Sequence, residues 1–342
     1  MYNIHSIYSS IEAYSSPVFI TAEIGINHQG NYDSARMLIE KARESGADAV
    51  KFQVYRTEKF YNRKLAPDAF DLFKSFELSF DEYKRLSEFS RSLDLVFYAT
   101  PFDPESLEFL LETGAPVIKI ASSDITNEPF LNLIAQKSSR YRFLTVMSTG
   151  FAGLDEIDRA VDVFRSNPAL DQLPELPLSL LYCVSNYPVR PEDIDLNFIP
   201  NLRNRYHLNT GFSDHSEGIN LSIAAAALGA SLIERHFTSD RNIPGADHAM
   251  SLDPGMFKAM VAGIRDVEKA AGRGVKKITD FEKNIKHSSM RSMYASRDIK
   301  AGEAFTENNI VSLRPGDGIK LSDYQKLLNS KAARNIQPYE KI

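Results

Sequence analysis

Short apolar runs rich in β-forming residues alternate with longer segments of helical periodicity along most of this chain. The runs predict strands at Val18–Ile24, Ala49–Val54, Leu95–Thr100, Val117–Ala121, Phe143–Ser148, Ser179–Val184, Asn209–Ser213 and Leu232–Phe237. The segments between and after them predict helices at Asn31–Ser45, Phe80–Leu93, Pro104–Thr113, Glu128–Lys137, Leu154–Arg165, Asp193–Arg205, Ile219–Leu228 and Pro254–Ala271. Eight β/α units in order favour a closed parallel (β/α)8 TIM barrel, and a doubly wound open sheet is the competing α/β arrangement.

The pattern changes after the last of these helices. A chain of 342 residues is longer than the roughly 250 residues of a typical barrel. A charged stretch, Lys276–His287, leads to short strand-like pieces separated by turn signals. These pieces are Arg291–Ala295, Asp298–Ala301 and Ile310–Leu313. We therefore expect a barrel domain over residues 1–272, a linker over 273–286 and a small β-rich domain over 287–342.

Composition narrows the class of protein further. Forty Lys and Arg residues against 45 Asp and Glu residues give a net charge of −5, and no long basic run is present, which argues against nucleic-acid binding. No stretch approaches the roughly 20 apolar residues of a membrane span. The only cysteine, Cys183, has no partner for an internal disulfide, and the opening MYNIHSIYSS does not resemble a secretory leader. We expect a soluble, reduced, cytoplasmic protein.

Polar residues follow every predicted strand, although the strand interiors are mostly apolar. In a parallel barrel, the carboxyl ends of the strands and the loops after them form the reaction pocket. The polar groups at these ends are Glu23–His28, Lys51–Gln53, Thr100–Asp103, Lys119–Asp124, Ser148–Gly150, Ser185–Pro188, Ser213–Ser216 and Glu234–Phe237.

Two lysines, Lys51 and Lys119, lie within strands that are otherwise apolar. An unpaired buried ammonium carries a large desolvation penalty, so each lysine needs an anion, or a neighbouring carboxylate such as Glu23. Serines also follow four of the strands: Ser122, Ser148, Ser185 and Ser213. Together these residues favour an anionic ligand with several acceptor oxygens, such as phosphate, over a simple salt bridge.

Two histidines, His215 and His236, close adjacent predicted strands. A lone histidine is usually an ordinary hydrogen-bonded polar residue, but a pair on one rim suits a divalent cation whose coordination is completed by water or substrate. The nearby Asp214 and Glu234 are expected to orient the imidazoles. The loops also carry Glu23, Asp124 and Asp247, each of which could act as a base, a hydroxyl ligand or a lysine partner. The residues alone indicate a metal-assisted enzyme acting on an anionic, polyhydroxylated substrate.

Several of these motifs, taken in sequence order, match the pattern of one protein family. They are Ala22-Glu23-Ile24-Gly25-Ile26-Asn27-His28, Lys51-Phe52-Gln53, Thr100-Pro101-Phe102-Asp103, Lys119-Ile120-Ala121-Ser122, Ser148-Thr149-Gly150, Ser213-Asp214-His215, Glu234-Arg235-His236-Phe237 and Arg314-Pro315-Gly316. In this order, from about Ile20 to the C-terminus, they strongly resemble the bacterial sialic acid synthase (N-acetylneuraminate synthase) family, which includes legionaminic and pseudaminic acid synthases.

The resemblance implies both a fold and an activity. The implied fold is a (β/α)8 barrel followed by an antifreeze-like (SAF) domain. The implied enzyme is a transferase that forms a carbon–carbon bond between phosphoenolpyruvate and the open-chain aldehyde of an N-acetylated hexosamine, and releases phosphate.

Site residues follow from the resemblance position by position. The implied phosphoenolpyruvate pocket comprises Lys51, Thr100, Lys119, Ser122, Ser148, Ser185 and Ser213. Glu23 matches the catalytic carboxylate, and His215 and His236 match the ligands of Mn2+, with Mg2+ or Co2+ as alternatives. The residues implied near the sugar are Gln53, Asp124, Tyr187, Asp247 and Arg314. The family places that arginine in the partner subunit's active site, which implies a domain-swapped homodimer.

This chain departs from the family pattern at Ser123-Asp124, where Gly-Glu is usual, and at Ala246, where Pro is usual. The shorter carboxylate leaves the acceptor sugar open between N-acetylmannosamine and related 6-deoxy diamino sugars. Two other functions are weighed against this one: another phosphoenolpyruvate-dependent 3-deoxy-sugar acid synthase, and a non-catalytic carbohydrate-binding protein. A phosphorylated acceptor would need further cations, for which the loops offer Arg56 and Lys59.

Overall fold

The structure is a computed structural model that describes residues 17–171, 173, 175–272 and 274–342. The chain forms two compact units, residues 1–272 and 273–342. Each unit has a hydrophobic core of its own.

Eight parallel strands of the first unit close into a barrel. They are β1 (Phe19–Gly25), β2 (Ala49–Val54), β3 (Val96–Pro101), β4 (Val117–Ile120), β5 (Leu144–Ser148), β6 (Leu178–Cys183), β7 (Asn209–Asp214) and β8 (Leu232–His236). Each strand pairs with the next, and β8 pairs with β1. The predicted barrel is therefore confirmed, and the open sheet is excluded.

Helices connect the strands around the outside of the barrel. They are α1 (Tyr32–Glu44), α2 (Thr57–Phe60), α3 (Pro67–Phe76), α4 (Phe80–Ser92), α5 (Pro104–Glu112), α6 (Glu128–Tyr141), α7 (Leu154–Arg165), α8 (Phe198–Tyr206), α9 (Asn220–Ala227) and α10 (Pro254–Ala271). The short helices α2 and α3 were not predicted. Helix α8 begins five residues later than predicted, because Pro191–Asp193 forms a separate 3-10 turn and the Asp195 carboxylate accepts a hydrogen bond from the Asn197 amide.

Alternation along the strands separates two apolar layers. One face of each strand packs against the surrounding helices, while the other face fills the barrel with Phe19, Ala49, Val96, Tyr98, Val117, Leu144, Val146, Leu181 and Leu232. Side-chain caps begin several helices where the loops end, as at Asn31 of α1 and Asp103 of α5. The filled lower barrel leaves the carboxyl ends of the strands as the place for a site.

The second unit is a small mixed α/β structure. Strand β9 (Ser292–Ala295) lies between β10 (Ile310–Leu313) and β11 (Ile319–Lys320) in an antiparallel sheet. Helix α11 (Asp280–Ser289) begins inside the predicted linker, and α12 (Tyr324–Leu328) follows the sheet. The segment Asp298–Ala301, predicted as a strand, makes only an isolated bridge between Ile299 and Ile336.

In the part of the chain that the structure describes, no helix is long and apolar enough to cross a membrane.

Candidate active site

A cavity of about 460 Å3 opens at the carboxyl ends of the barrel strands. Its volume falls within the roughly 300–1,000 Å3 of small-molecule sites. Residues from all eight strands or the loops after them line it, including Glu23, Lys51, Thr100, Lys119, Ser148, Cys183, Ser213 and His236. The barrel thus brings side chains that are distant in sequence into one site.

Two lysines and two glutamates form the floor of this cavity. The Lys51 ammonium lies 3.1 Å from Glu23 Oε1 and 3.6 Å from Glu234 Oε1, and the Lys119 ammonium lies 3.6 Å from the same Glu234 oxygen. All four side chains are buried. Carboxylates therefore partner both lysines, as the simpler sequence interpretation required, and Glu234 joins the two ammonium groups.

Burial and charge set the ionisation of this floor. Burial raises the pKa of Glu23 to about 7, against the opposing attraction of Lys51. Burial also opposes ionisation of Glu234, but Lys119 and Lys51 outweigh it and hold the pKa of that carboxyl below its usual value. Glu234 is consequently a fixed counter-charge, whereas Glu23 changes protonation near neutral pH.

Hydroxyl groups surround the two ammonium groups. Lys119 donates to Ser148 Oγ at 2.7 Å, and Lys51 donates to Thr100 Oγ1 at 3.3 Å. Gly150 makes room for two further hydroxyls, because a Cβ there would lie 2.2 Å from Ser185 Oγ and 2.6 Å from Ser122 Oγ. Ammonium and hydroxyl donors at this spacing form a site for an anion with several oxygens.

The two predicted histidines lie side by side on the cavity wall. The His215 and His236 ring centroids are 5.4 Å apart, and the Tyr187 ring lies 4.2 Å from that of His215. His215 Nδ1 lies 3.0 Å from the Val184 carbonyl oxygen, so Nε2 is the nitrogen left for a ligand. Burial lowers the pKa of His236 well below its usual value, and the neutral imidazole that results is the form that binds metals.

A test of the metal hypothesis comes from the donor set itself. Among the described residues, no three His, Cys, Asp or Glu side chains are grouped so that they could hold a metal ion. The Asp247 carboxylate lies 3.4 Å from His236 Nδ1 without forming a hydrogen bond. Two imidazoles alone fit an exchangeable divalent ion whose coordination is completed by water or substrate, and do not fit a closed structural site.

Three polar atoms that belong to cavity-lining residues are buried without a hydrogen-bond partner among the described residues. They are Glu23 Oε2, Ser185 Oγ and His236 Nδ1. Because nearly all buried polar groups in proteins are hydrogen-bonded, this cluster points to a polar ligand in the cavity.

Aromatic rings line the opposite side of the mouth. Phe60 of α2 stacks on Phe102 with centroids 4.3 Å apart, and Phe73 of α3 lies 4.8 Å from Tyr61. We call these four residues the aromatic wall. They follow β2 and β3, which lie across the barrel from β6 and β7 in the closed strand order, so the aromatic wall faces the side of the histidine pair.

Comparisons with known proteins bear on this geometry. The NeuB family model matches residues 38–276, which is more than half of the chain, and the SAF domain model matches residues 291–340. The chain belongs to the NeuB family. It is 36% identical to the N,N'-diacetyllegionaminic acid synthase of Campylobacter jejuni over 94% of this chain and 98% of that protein. It is 34% identical to a pseudaminic acid synthase of the same species over 94% of both chains.

A solved structure agrees with this family membership. The crystal structure of N-acetylneuraminic acid (sialic acid) synthetase from Leptospira borgpetersenii, in complex with citrate, superposes with a TM-score of 0.71 and 35% identity. The superposition covers 79% of this chain and 90% of that one. The resemblance inferred from the motifs is confirmed, and the chain is an enzyme of the NeuB family with a barrel and an SAF domain.

One predicted site residue of the barrel unit of this NeuB-family enzyme, Asp124, does not line the cavity. Asp124 is partly buried in a 3-10 turn, where it accepts a hydrogen bond from Asn127 Nδ2 at 2.9 Å, although its neighbours Ser122 and Ser123 line the cavity. Arg314 belongs to the second unit, where it is exposed after β10. The other predicted site residues line the cavity: Glu23, Lys51, Gln53, Thr100, Lys119, Ser122, Ser148, Ser185, Tyr187, Ser213, His215, His236 and Asp247.

The expected roles of Asp214 and Glu234 differ from the observed contacts. The Asp214 carboxylate pairs with Arg235 at 2.9 Å, and that of Glu234 contacts the lysines. Strand periodicity explains both, because Asp214 directly precedes His215 and so lies on the other face, whereas Glu234 is two residues before His236 and shares its face. The same periodicity places Cys183 on the face of Ser185. Cys183 thus lines the cavity, although it was not predicted as a site residue.

The aromatic wall also escaped sequence reasoning. Its members come from three separate segments, and only the local richness of residues 60–73 in phenylalanine and tyrosine could have indicated it.

Proposed function

We propose that this enzyme condenses phosphoenolpyruvate with the open-chain aldehyde of an N-acetylated hexosamine to give a nine-carbon 2-keto acid and phosphate. The observation that carries the proposal is the convergence, in one cavity, of a two-lysine anion site with a pair of adjacent imidazoles. The names of the relatives, legionaminic, pseudaminic and sialic acid synthases, support the same type of product.

Phosphoenolpyruvate binds at the floor of the cavity in this proposal. Its phosphate and carboxylate oxygens accept hydrogen bonds from Lys51, Lys119 and the serine and threonine hydroxyls around them. The donors are held before the substrate arrives, because Glu234 keeps both ammonium groups within 3.6 Å of one oxygen. The enol carbon C3 then points towards the mouth.

The reaction proceeds by attack of C3 on the aldehyde carbon. A carbon–carbon bond forms, and the aldehyde oxygen takes up a proton to become a hydroxyl. The positive charge left at C2 is captured by a water molecule, which loses a proton. The bond from C2 to the phosphate oxygen then breaks, the C2 hydroxyl becomes the keto oxygen, and its proton leaves with the phosphate.

Glu23 is the residue that accepts the proton from this water. Its Oε2 is buried without a partner, and a carboxyl with a pKa of about 7 is matched to proton transfer near neutral pH. His28, in the loop after β1, is a second residue that could take this proton, but it is buried, does not line the cavity, and accepts a hydrogen bond from the Gly30 amide at 3.1 Å.

His215 and His236 would hold the divalent ion, most simply Mn2+. When bound there, it would supply a Lewis acid for the aldehyde oxygen. Tyr187, whose ring packs against that of His215, closes this side of the mouth and positions the acceptor beside the imidazoles.

The acceptor is uncharged in this proposal. Arg56 lies 3.3 Å from Glu77 and 3.8 Å from Glu105, and Lys59 also pairs with Glu105. Neither cation lines the cavity, so the two candidates for a second phosphate site are neutralised elsewhere. The aromatic wall instead offers apolar contact to acetamido methyl groups and sugar carbons.

A homodimer in which Arg314 of one subunit reaches the active site of the other completes the proposal. Its planar donor fork suits the oxygen of an N-acetyl group or a hydroxyl.

The test is phosphate release from phosphoenolpyruvate in the presence of Mn2+ with a panel of acceptors: N-acetylmannosamine, its 6-deoxy diamino analogues and the corresponding phosphosugars. We expect release with one or more uncharged N-acetylated sugars and none without acceptor. Release only with a phosphosugar would contradict the uncharged acceptor and show that the acceptor carries a phosphate. Sugar binding without release would indicate a non-catalytic carbohydrate-binding protein.

A further inference from the structure

A fully buried ion pair lies directly behind the histidine pair, and no step of the proposed reaction uses it. Arg235 and Asp214 are each 1% exposed, and the guanidinium Nη1 lies 2.9 Å from Asp214 Oδ2. A buried charge pair is costly unless its hydrogen bonds are well satisfied. The contacts of this pair therefore indicate what it holds in place.

The pair joins the two strands that carry the histidines. Asp214 and Arg235 are register partners on β7 and β8, and each directly precedes a histidine in sequence. Because successive strand residues point to opposite faces, the pair lies on the outer face of the barrel while His215 and His236 point into the cavity. The side-chain pair thus ties together the ends of the two strands from which the histidines project.

The same two residues hold the loop after β7. Arg235 Nη2 donates to the carbonyl oxygens of Ser216, at 2.8 Å, and Gly218, at 3.0 Å. Asp214 Oδ1 accepts from the Ser216 amide at 2.8 Å, and Asp214 Oδ2 accepts from Ser222 Oγ at 2.5 Å. His215 lies between Asp214 and Ser216, so its backbone is held on both sides.

We propose that Arg235, through Asp214 and the Ser216 and Gly218 carbonyls, is a positioning residue that fixes the two imidazoles at the spacing required for the divalent ion. It acts through the backbone and touches neither the ion nor a substrate. A lysine does not replace it, because one ammonium lacks the planar fork that reaches a carboxylate and two carbonyls together. The inference rests on the proposed role of His215 and His236 as metal ligands.

A second ion pair provides a matched control. Arg265 of α10 lies 2.9 Å from Asp48 Oδ2 and donates to the Val18 carbonyl at 2.8 Å, while Asp48 accepts from the Ile20 amide. Asp48 directly precedes β2, at the end of the barrel away from the cavity. Arg265→Met therefore removes a guanidinium–carboxylate pair of the same length without touching the histidine strands.

The experiment compares Arg235→Met, Arg235→Lys and Arg265→Met in the full-length protein. We expect Arg235→Met to weaken Mn2+ binding, measured by electron paramagnetic resonance of free Mn2+, by about 10- to 100-fold, as for other residues that orient metal ligands. Phosphoenolpyruvate affinity, measured without metal, should change less than about threefold, because the lysine floor keeps its contacts. Arg265→Met should lower the thermal midpoint while Mn2+ affinity stays at the wild-type value.

A readout without metal separates this inference from the proposed function. The imidazole resonances of His215 and His236 in metal-free protein should shift in both Arg235 variants and stay unchanged in Arg265→Met. If wild-type protein does not bind Mn2+, or if His215→Ala binds it as tightly as wild type, the metal assignment fails. The imidazole resonances still decide whether Arg235 positions the two histidines. Should Arg235→Met not fold, Arg235→Lys carries the test, with an expected loss of at least about fivefold in Mn2+ affinity. Unchanged resonances and unchanged Mn2+ affinity in a folded Arg235 variant would overturn the proposal.

Discussion

Lys51 and Lys119 are buried ammonium groups whose partners are carboxylates with fixed positions. An arriving anion adds oxygen acceptors to two cations that the protein already holds in place, so little side-chain ordering remains to be done on binding. The same arrangement makes the contribution of each lysine measurable, because each would provide a charge-assisted hydrogen bond to the proposed phosphoenolpyruvate substrate.

Lys51→Ala and Lys119→Ala should each weaken phosphoenolpyruvate binding by about 10- to 100-fold, since loss of a charged hydrogen bond costs about 1.5–3 kcal/mol. The acceptor KM should change less than about threefold. Isothermal titration with phosphoenolpyruvate and steady-state kinetics measure the two effects, and Lys269→Ala, an exposed lysine paired with Asp266, is the control. A rise confined to the acceptor KM would show that the floor does not bind phosphoenolpyruvate.

The proposed role of Glu23 as a proton acceptor predicts a pH dependence of the rate. Burial raises the pKa of Glu23 to about 7, so the carboxylate that accepts a proton predominates above that pH and the acid below it. We expect kcat/KM, which reports groups of the free enzyme, to rise with pH through a midpoint near 7. Glu23→Gln should lower kcat and remove this rise. An unchanged rise in Glu23→Gln would assign the proton transfer to another residue.

The histidine pair predicts a removable metal. Because only two imidazoles are proposed as protein ligands, chelation should abolish turnover and added Mn2+ should restore it. His215→Ala should raise the activation barrier by several kcal/mol with little change in the thermal midpoint, and His287→Ala, at an exposed position of α11, should do neither. Full turnover after complete metal removal would contradict the assignment of His215 and His236.

At the level of elements, the two helices after β2 provide aromatic side chains, which the ends of the barrel strands lack. The strand ends contribute charges and hydroxyls, whereas α2 and α3 bring Phe60 and Phe73 over the mouth. Tyr55 anchors these helices, since its hydroxyl donates to the Phe73 carbonyl at 3.1 Å and its ring packs on Phe60. The proposed acceptor half of the site thus depends on the segment between β2 and α4 as well as on the barrel itself.

Removal of one ring from the aromatic wall should therefore affect the acceptor alone. Phe102→Ala should raise the acceptor KM about fivefold, because an aromatic contact contributes about 1 kcal/mol, and should leave the KM for phosphoenolpyruvate unchanged. Phe109→Ala is the control: its ring stacks on Phe80 with centroids 4.4 Å apart and does not line the cavity. Equal acceptor KM values in the two variants would show that the aromatic wall does not contact the sugar.

At the level of the whole molecule, the proposed dimer makes two subunits share each active site. A His215→Ala subunit mixed with an Arg314→Ala subunit forms heterodimers in which one pocket has both an intact histidine pair and an intact arginine. Half of the dimers are mixed at equal concentrations and half of their pockets are complete, so about a quarter of wild-type turnover should return.

Steady-state rates before and after mixing measure this recovery, and subunit exchange is verified by native mass spectrometry of differently tagged chains. Each variant alone should stay nearly inactive. If exchange occurs without any gain in rate, Arg314 serves its own barrel or has no part in the reaction.

The sequence by itself determined the barrel and most of the site. Apolar runs of β-forming residues and the helical periodicity between them are local patterns, and they predicted every barrel strand to within one residue at either end. The polar strand ends followed directly, because a parallel barrel brings all eight carboxyl ends to one mouth. Residues such as Lys51, Ser148 and His236 could be placed in one cavity on that basis alone.

Tertiary structure decided the partners of these residues. Which carboxylate faces Lys119, and whether Asp214 contacts a histidine or an arginine, depends on the strand face and on the register between neighbouring strands, which are set by packing across the barrel. The aromatic wall likewise exists only because pairing of β2 with β3 brings the segment after β2 against Phe102. Local periodicity carries no information about such pairs, since their members interact through space and are separated by tens of residues along the chain.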